Sequence, residues 1–371
     1  MRILVLNYRD RKNPNAGGAE LHLHKIFGKL AADGNTVVLL TTAFKGAPHR
    51  EVVDGITVVR SGSDWAFQLT VARLLKKLDA EFHFDVVYED LNKLPLLSPF
   101  LTKLPKLVQI HHLWRSSIFK EASFPIALFV WLWESAIPIL YRKVPFVAVS
   151  PSTVKELVDL GISNERVSLV YNGMDPLPAD FSPSREKERV FLWLSRVHRY
   201  KGIMVALDAF EIFTRRHPDA GFKLRIVGRG PMLSKLPREV EIRGLSGRVI
   251  IEGAVDHACK LDFLSRAFCL LQTSYKEGWG LTVIEAATCG TTSIASNVPG
   301  LCDSVKDGVT GLLFEVEKGA ENCALLMDRI YADERLKKAL EINAKRYAES
   351  FSWNRAAEET LAILQRTIAQ K

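Results

Sequence analysis

The 371 residues are 47% hydrophobic and 25% charged, a globular composition that excludes a disordered or fibrous chain and at this length predicts two domains. Lys and Arg number 50 against 42 Asp and Glu, a net charge of +8. It is spread over both halves, which excludes a basic tail and favours anionic partners without choosing among nucleic acid, lipid and phosphorylated small molecules.

Met1 runs directly into Arg2–Leu6, a strand pattern without the apolar core or cleavage site of a signal peptide. No run reaches the roughly 20 apolar residues of a membrane span. Five cysteines (Cys259, Cys269, Cys289, Cys302 and Cys323) are widely spaced and lack a C-x-x-C pair, which speaks against a disulfide framework or zinc site and for a reducing compartment. The expectation is a soluble intracellular chain. After the first strand come a polar loop (Asn7–Gly18), an amphipathic helix over Ala19–Ala32 and a strand over Thr36–Leu40. Leu21, Ile26, Leu30 and Ala31 mark the helix face, and Asp33-Gly34-Asn35 supplies the stop. Apolar runs at Ile56–Val59, Val86–Tyr88, Leu107–Ile110 and Phe146–Val149 continue the alternation of strand and helix, which predicts a mostly parallel sheet covered on both faces. Asn172–Lys187, with Pro176, Pro178 and Pro183 among charges, reads as a linker.

The pattern then restarts with strands at Val190–Leu194, Lys223–Val227, Val249–Glu252, Cys269–Gln272 and Ser293–Ala295. Helices are predicted at Ile203–Arg215 and Leu281–Thr288, and Leu336–Gln370 reads as nearly all helical with Trp353 near its middle. Two doubly wound α/β domains are therefore expected to face each other across a cleft at their strand C-termini. A dehydrogenase, an epimerase or a sugar transferase can use that frame, so the loops must decide.

Three loops carry chemistry. Gly17 and Gly18 open the first helix, whose N-terminus suits a phosphate; the glycines are adjacent, so the dinucleotide fingerprint is absent, against a nicotinamide cofactor. Arg196 and Lys201 stand five residues apart just past a strand, where they suit a diphosphate, one through its guanidinium fork and one as a point charge; a solvated basic turn is the simpler reading of such a pair in isolation. The third loop, Glu277-Gly278-Trp279-Gly280-Leu281, leads into a helix bearing Glu285. A glycine-rich turn between two carboxylates suits a ligand with both phosphates and sugar hydroxyls.

In these blocks the chain resembles the retaining, nucleotide-sugar-dependent glycosyltransferases of family 4, with the two-Rossmann-domain GT-B fold. The resemblance covers nearly the whole chain. Its most specific part is the Glu-x7-Glu block continuing to Gly290, with Gly300 and Asp307–Phe314 beyond; Gly17–Glu20, Val149-Ser150, Asn172–Asp175, Arg196/Lys201 and Val227–Gly230 follow in the same order. It implies an N-terminal acceptor-side domain over 1–178, a C-terminal donor-binding domain over 186–350, and a closing helix, 351–371, packed back on the first.

The resemblance also implies roles. Arg196 and Lys201 neutralise the diphosphate, Glu277 lies against the transferred sugar, and Glu285 holds the ribose hydroxyls. Gly17, Gly18, Gly228, Gly278, Trp279, Gly280 and Leu281 line the donor site. With the cations stabilising the leaving phosphate, neither a metal nor a cofactor is expected, and the donor is UDP- or GDP-linked. Whether retention proceeds through a nucleophile or a front-face attack stays open. His111 matches a histidine that contacts the donor sugar, although His112 stands where an aspartate usually follows, so His112 remains an alternative.

On the acceptor side, Asn7–Asn15 and Glu89–Lys93 are candidates, with Asn7, Asn92 and His112 foremost. The run Phe124–Tyr141, with Phe129, Trp131 and Trp133, is apolar and aromatic and is flanked by Arg115, Lys120, Arg142 and Lys143. It fits either an interfacial membrane segment or a buried helix. The expected activity is hexosyl transfer to a glycan or lipid-linked acceptor in polysaccharide or glycolipid assembly, with a peripheral place at the inner face of the cell membrane. An epimerase of the same fold and a silent membrane-bound adaptor are the alternatives; no nucleic-acid module accompanies the charge.

Overall fold

In the computed structural model the described residues are 1–92, 94–184 and 186–370, with Lys120 described by its backbone alone. Lys93, at the end of the acceptor-side loop, and the Lys120 side chain, among the cations flanking the apolar run, lie outside them. The chain divides into two compact units, residues 1–173 with 352–371, and residues 174–351.

The first unit is built on β1 (Arg2–Leu6), α1 (Gly18–Ala32), β2 (Thr36–Thr41), β3 (Arg50–Val53), β4 (Ile56–Arg60), α2 (Phe67–Phe82), β5 (Val86–Leu91), α3 (Ser98–Leu101), β6 (Lys106–Ile110), α4 (Phe124–Leu140), β7 (Phe146–Ala148), α5 (Pro151–Asp159) and β8 (Val167–Leu169). Its strands form one sheet in the order β3-β4-β2-β1-β5-β6-β7-β8. All described pairs are parallel except β3 with β4. The sequence reading passed over β3, although Asp54-Gly55 is the two-residue turn such a hairpin demands. Both residues take positive φ, 53° and 78°, which an Asp-Gly pair tolerates.

Three further differences matter for the site. The strand read as Val86–Tyr88 continues to Leu91, so Glu89 and Asp90 are fully buried strand residues, not loop residues. Acids are poor strand formers and rarely buried, so the pattern was cut short. The buried face of α1 comprises Glu20, His22, Leu23, His24, Ile26, Phe27 and Leu30; its polar members broke the apolar periodicity. The helical end of the chain is two helices, and Trp353 is the first residue of the second. That closing helix (Trp353–Ala369) packs on α1 and β6 of the first unit.

The second unit contains β9 (Val190–Leu194), α6 (Ile203–Arg216), β10 (Lys223–Val227), α7 (Leu236–Ile242), β11 (Val249–Gly253), α8 (His257–Arg266), β12 (Cys269–Gln272), α9 (Leu281–Thr288), β13 (Ser293–Ser296), α10 (Leu301–Ser304), β14 (Gly311–Phe314), α11 (Gly319–Ala332) and α12 (Glu334–Ala348). The strands pair in parallel in the order β11-β10-β9-β12-β13-β14. Along β9, Phe191 and Trp193 join the core that holds Phe210, Phe213 and Met327, while Leu192 joins the opposite core of Leu264, Val283 and Ala286. Alternate side chains are apolar on both faces, as a doubly covered parallel strand requires. In each sheet the chain winds one way from the first strand and then back past it. β1 thus sits between β2 and β5, and β9 between β10 and β12. At such reversal points the loops beyond the strand ends diverge and leave room for a ligand.

Candidate active site

At the reversal point of the second sheet, the loop after β9 meets the loop after β12 backbone to backbone. Gly202 has φ of 69°, and a Cβ there would lie 1.9 Å from the Thr273 carbonyl oxygen. Gly228, at φ of 142°, would place one 1.8 Å from that of Ser195. Neither position admits another residue without displacing backbone. Thr273 Oγ1 donates to the Gly202 carbonyl (2.7 Å) and accepts from Trp193 Nε1 (3.1 Å), fastening the two loops.

Lys201 is buried there and its Nζ donates to Glu277 Oε1. The same oxygen accepts from Ser274 Oγ (2.9 Å) and Gln272 Nε2 (3.1 Å). Arg196 is exposed and donates to the Tyr200 hydroxyl (2.6 Å), and the Tyr200 ring lies 5.0 Å from Lys201 Nζ. Glu285 accepts from Lys260 of α8 at 2.7 Å. The fold therefore gathers Arg196, Lys201 and Glu277 around one pair of loops and sets Glu285 on the helix that follows.

Two glycine-loop residues take structural places. Trp279, read as lining the donor site, is 2% exposed and meets Phe351 edge-on with ring centroids 5.0 Å apart. A Cβ at Gly280 would lie 2.7 Å from Leu301 Cδ2, so its missing side chain serves packing against α10. Gly278 and Leu281 are half-buried.

The first sheet carries a second polar cluster at its own reversal point. Asn7 follows β1 and is fully buried rather than part of an exposed loop. Its Nδ2 donates to Asp90 Oδ2 (3.2 Å), and its Oδ1 accepts from Asn92 Nδ2 (2.7 Å). Asn92 also reaches Glu20 Oε1 (3.3 Å), and Glu20 Oε2 accepts from the Gly17 N–H (2.6 Å), capping α1 from within. Gly17 is thus engaged internally, while Gly18 is exposed. Burial raises the Glu20 pKa, against the backbone hydrogen bonds that lower it.

His111, at the end of β6, is buried with Nε2 3.0 Å from Asp90 Oδ1. Its ring meets that of His22 edge-on, centroids 4.9 Å apart, and His22 Nδ1 lies 2.6 Å from Asn172 Oδ1. His112 is half-buried and packs on Trp114 instead. Glu20 and His22 are members of this cluster to which sequence reasoning gave no role of their own, and Asp90 entered it only within the acceptor-side stretch Glu89–Lys93. Histidines and an acid on the buried face of α1 were the available signal.

Glu134, buried on α4, accepts from the Trp114 and Arg115 N–H groups, each at 2.7 Å, and so holds the chain just past His111 and His112. Arg115 needs that hold, since its φ is 47°. The opposite side of α4 is apolar: Phe124, Ile126, Phe129, Leu132 and Ile139 are exposed. Trp131 and Trp133 are half-buried, the first under the Arg115 guanidinium (5.8 Å) and the second against Phe129 (6.1 Å). No helix among the described residues is long and apolar enough to cross a membrane.

Compared with known proteins, residues 16–176 match the model described as Glycosyltransferase Family 4, and residues 179–347 match Glycosyl transferases group 1. The chain belongs to the family 4, group 1 glycosyltransferases. Among relatives of this chain is a D-inositol 3-phosphate glycosyltransferase of Paenarthrobacter aurescens, 30% identical over 60% of this chain and 57% of that protein. The chain thus spans little more than half the length of that relative. A glycogen synthase of Mycobacterium tuberculosis is 25% identical over 98% of this chain and 94% of its own. Solved structures show the fold. Sucrose-phosphate synthase of Thermosynechococcus elongatus superposes with a TM-score of 0.80 at 22% identity over the whole of both chains, and Anabaena HepE with UDP and glucose does so at 0.77 and 20%, over 99% of this chain and all of its own. The chain has the two-Rossmann GT-B fold.

Proposed function

We propose that the chain is a retaining glycosyltransferase that moves a hexose-type sugar from a UDP- or GDP-sugar to a glycan or lipid-linked acceptor. The observation that carries this reading is the loop pair at the reversal point of the second sheet, which brings Lys201 onto Glu277 with Arg196 in the same loop. Breaking the bond between sugar and diphosphate places negative charge on the departing phosphate. Cations held in advance stabilise that charge without reorganising. Arg196 is exposed and offers its fork to the diphosphate. Lys201 already has one anionic neighbour and bridges from it to the phosphate, which brings Glu277 beside the transferred sugar. Glu285 takes the ribose hydroxyls. The two cations do the work of a divalent ion, so the reaction proceeds without one.

Support for the donor class comes from the relatives: one solved neighbour holds UDP and glucose, and both halves of the chain match glycosyltransferase models. Support for a lipid-linked acceptor comes from the outward apolar residues of α4 and the cations Arg115, Arg142 and Lys143 beside it, a combination suited to an anionic membrane surface.

The test is turnover of UDP- and GDP-hexoses by the purified chain in EDTA. One donor is consumed, the product keeps the anomeric configuration, and the double variant Arg196→Ala/Lys201→Ala loses at least about 100-fold in kcat, the cost of a lost transition-state donor. Unchanged turnover in that variant overturns the cation roles. Conversion of the donor to its epimer without acceptor, or no nucleotide binding at all, replaces the reading with the epimerase or the silent adaptor. For the membrane, Phe129→Glu abolishes co-sedimentation with anionic vesicles at low salt; equal sedimentation of variant and parent refutes that part.

A further inference from the structure

A carboxylate removed from water needs a counter-charge or a full set of hydrogen bonds, because the desolvation cost of an isolated ion runs to several kcal/mol. Asp90 is such a carboxylate. It lies inside β5 with no exposed surface, one oxygen 3.2 Å from Asn7 Nδ2 and the other 3.0 Å from His111 Nε2. Asn7 is neutral and is itself held by Asn92. Among the described residues, His111 is the one group within ion-pair distance of Asp90 that is able to carry a positive charge.

We infer that Asp90 is a positioning residue that holds His111 as an imidazolium and leaves its Nδ1–H as a charge-assisted donor. Only the kinetic arm of the test rests on the proposed function, together with the donor-sugar contact that the family resemblance implies for His111. The pair itself rests on the geometry alone.

The surroundings of His111 agree. From α5, Thr153 Oγ1 donates to its backbone carbonyl (3.2 Å), fixing the main chain from which the ring projects. From β5, Asp90 Oδ1 stands 3.0 Å from Nε2, at ion-pair distance but out of line for a full hydrogen bond. From α1, Glu20 adds a second negative charge, itself offset by Arg9, and His22 presents a ring at 4.9 Å. Burial draws the His111 pKa down, but the charge of Asp90 and its contact with Nε2, with the charge of Glu20, more than offset it and raise the pKa above the ordinary imidazole value. His22 is the contrast. Burial, then the charge of His111, holds its pKa at about 3 against the Asn172 hydrogen bond, so that ring is neutral. Two histidines in edge contact are thus pushed in opposite directions, and the one raised is the one with a carboxylate neighbour.

The chemical consequence lies in Nδ1. A neutral imidazole protonated at Nε2 presents a lone pair at the other nitrogen, whereas an imidazolium presents an N–H. His111 Nδ1 has no protein partner among the described residues. As an imidazolium it donates there to a sugar hydroxyl or phosphate oxygen. The bond is charge-assisted, stronger than one from a neutral ring, and disappears on deprotonation.

The experiment is a ¹⁵N-histidine NMR titration of the full chain and of Asp90→Asn, with kcat/KM measured against pH on the donor identified above. In the parent, His111 titrates above the free value of about 6.5. In Asp90→Asn its titration moves down by at least about one unit, and the alkaline limb of kcat/KM moves down with it. Parent His111 titrating below about 6.5 overturns the inference by itself, even where Asp90→Asn fails to fold. So does a folded Asp90→Asn protein in which neither the titration nor the alkaline limb moves. If both titrations behave as stated but His111→Gln keeps full kcat/KM, the placing of His111 at the donor sugar fails and the Asp90–His111 pair stands.

Discussion

A histidine on the buried face of a helix stores a pH dependence in the fold, and His22 does so with a sign that follows from its surroundings. Its Nδ1 is held by Asn172 and its ring is edge-on to both His111 and Trp353. In the unfolded chain the same ring takes a proton at about 6.5; in the folded protein it does so only at about 3. Between those values the unfolded state binds the extra proton, so stability falls as pH falls, by up to about 1.4 kcal/mol per unit. His111 has the opposite sign. Its raised pKa contributes stability that is complete below about 6.5 and is lost as pH rises through the folded value. The unfolding midpoint of the parent therefore drops as pH falls from about 6.5 to 5, and His22→Gln, which keeps a polar group near Asn172 but no titration, flattens that drop. Calorimetry at several pH values checks it; parallel curves for parent and variant below pH about 6.5 refute the assignment.

An element places its residues only as well as its neighbours hold it, and α9 shows this for Glu285. Its carboxylate stands one turn into the helix and is held by Lys260 from α8, with both side chains largely buried. Lys260→Met keeps the bulk and removes the charge, so Glu285 loses the partner that orients it for the ribose contact we propose. KM for the donor rises about tenfold, near 1.4 kcal/mol, while kcat changes little. A fall in kcat at constant KM places Lys260 in the chemical step instead. The same dependence on neighbours explains how much was legible in advance. The parallel strands and the glycine-rich loops were readable because apolar runs and paired glycines are local signals. Arg196, Lys201 and Glu277 were readable as a group because two short loops carry them. β5 was cut at Tyr88 because Glu89 and Asp90 look like loop residues. Only the fold supplies their partners: Leu96 N–H and the Tyr141 hydroxyl for Glu89 (2.7 and 2.5 Å), Asn7 and His111 for Asp90. Trp279 shows the other side of this: a tryptophan in a glycine-rich loop suggests a ligand platform, and its burial and its edge contact with Phe351, a residue 72 positions on, are features no local pattern announces.

For the whole molecule, the decisive feature is that the first unit is discontinuous in sequence and the second is not. The chain leaves the first unit after Gly173 and re-enters it at Ser352. There the two passes touch through backbone: a Cβ on Gly173 would lie 2.2 Å from the Trp353 nitrogen and 2.5 Å from the Ser352 carbonyl carbon. Neither atom belongs to a flexible side-chain end, so an added methyl moves main chain. What moves is the start of the closing helix, whose Trp353, Ala356, Ala357, Thr360, Ile363 and Leu364 are buried. That helix covers α1, which carries Glu20 and His22. Gly173→Ala therefore destabilises the first unit by about 1–3 kcal/mol, the range for overpacking a well-filled site. The second unit is affected differently, because Arg196, Lys201, Glu277 and Glu285 and their partners Tyr200, Gln272, Ser274 and Lys260 all lie within residues 174–351. Nucleotide bound there still raises the stability of that unit, by about 2.7 kcal/mol at a hundredfold excess over Kd. Two-transition thermal unfolding with and without UDP or GDP separates the two effects. The variant lowers the transition of the first unit and leaves the nucleotide-dependent shift of the second intact. Loss of that shift in Gly173→Ala would show that nucleotide binding requires the first unit, against a nucleotide site formed by Arg196, Lys201 and Glu285 within residues 174–351.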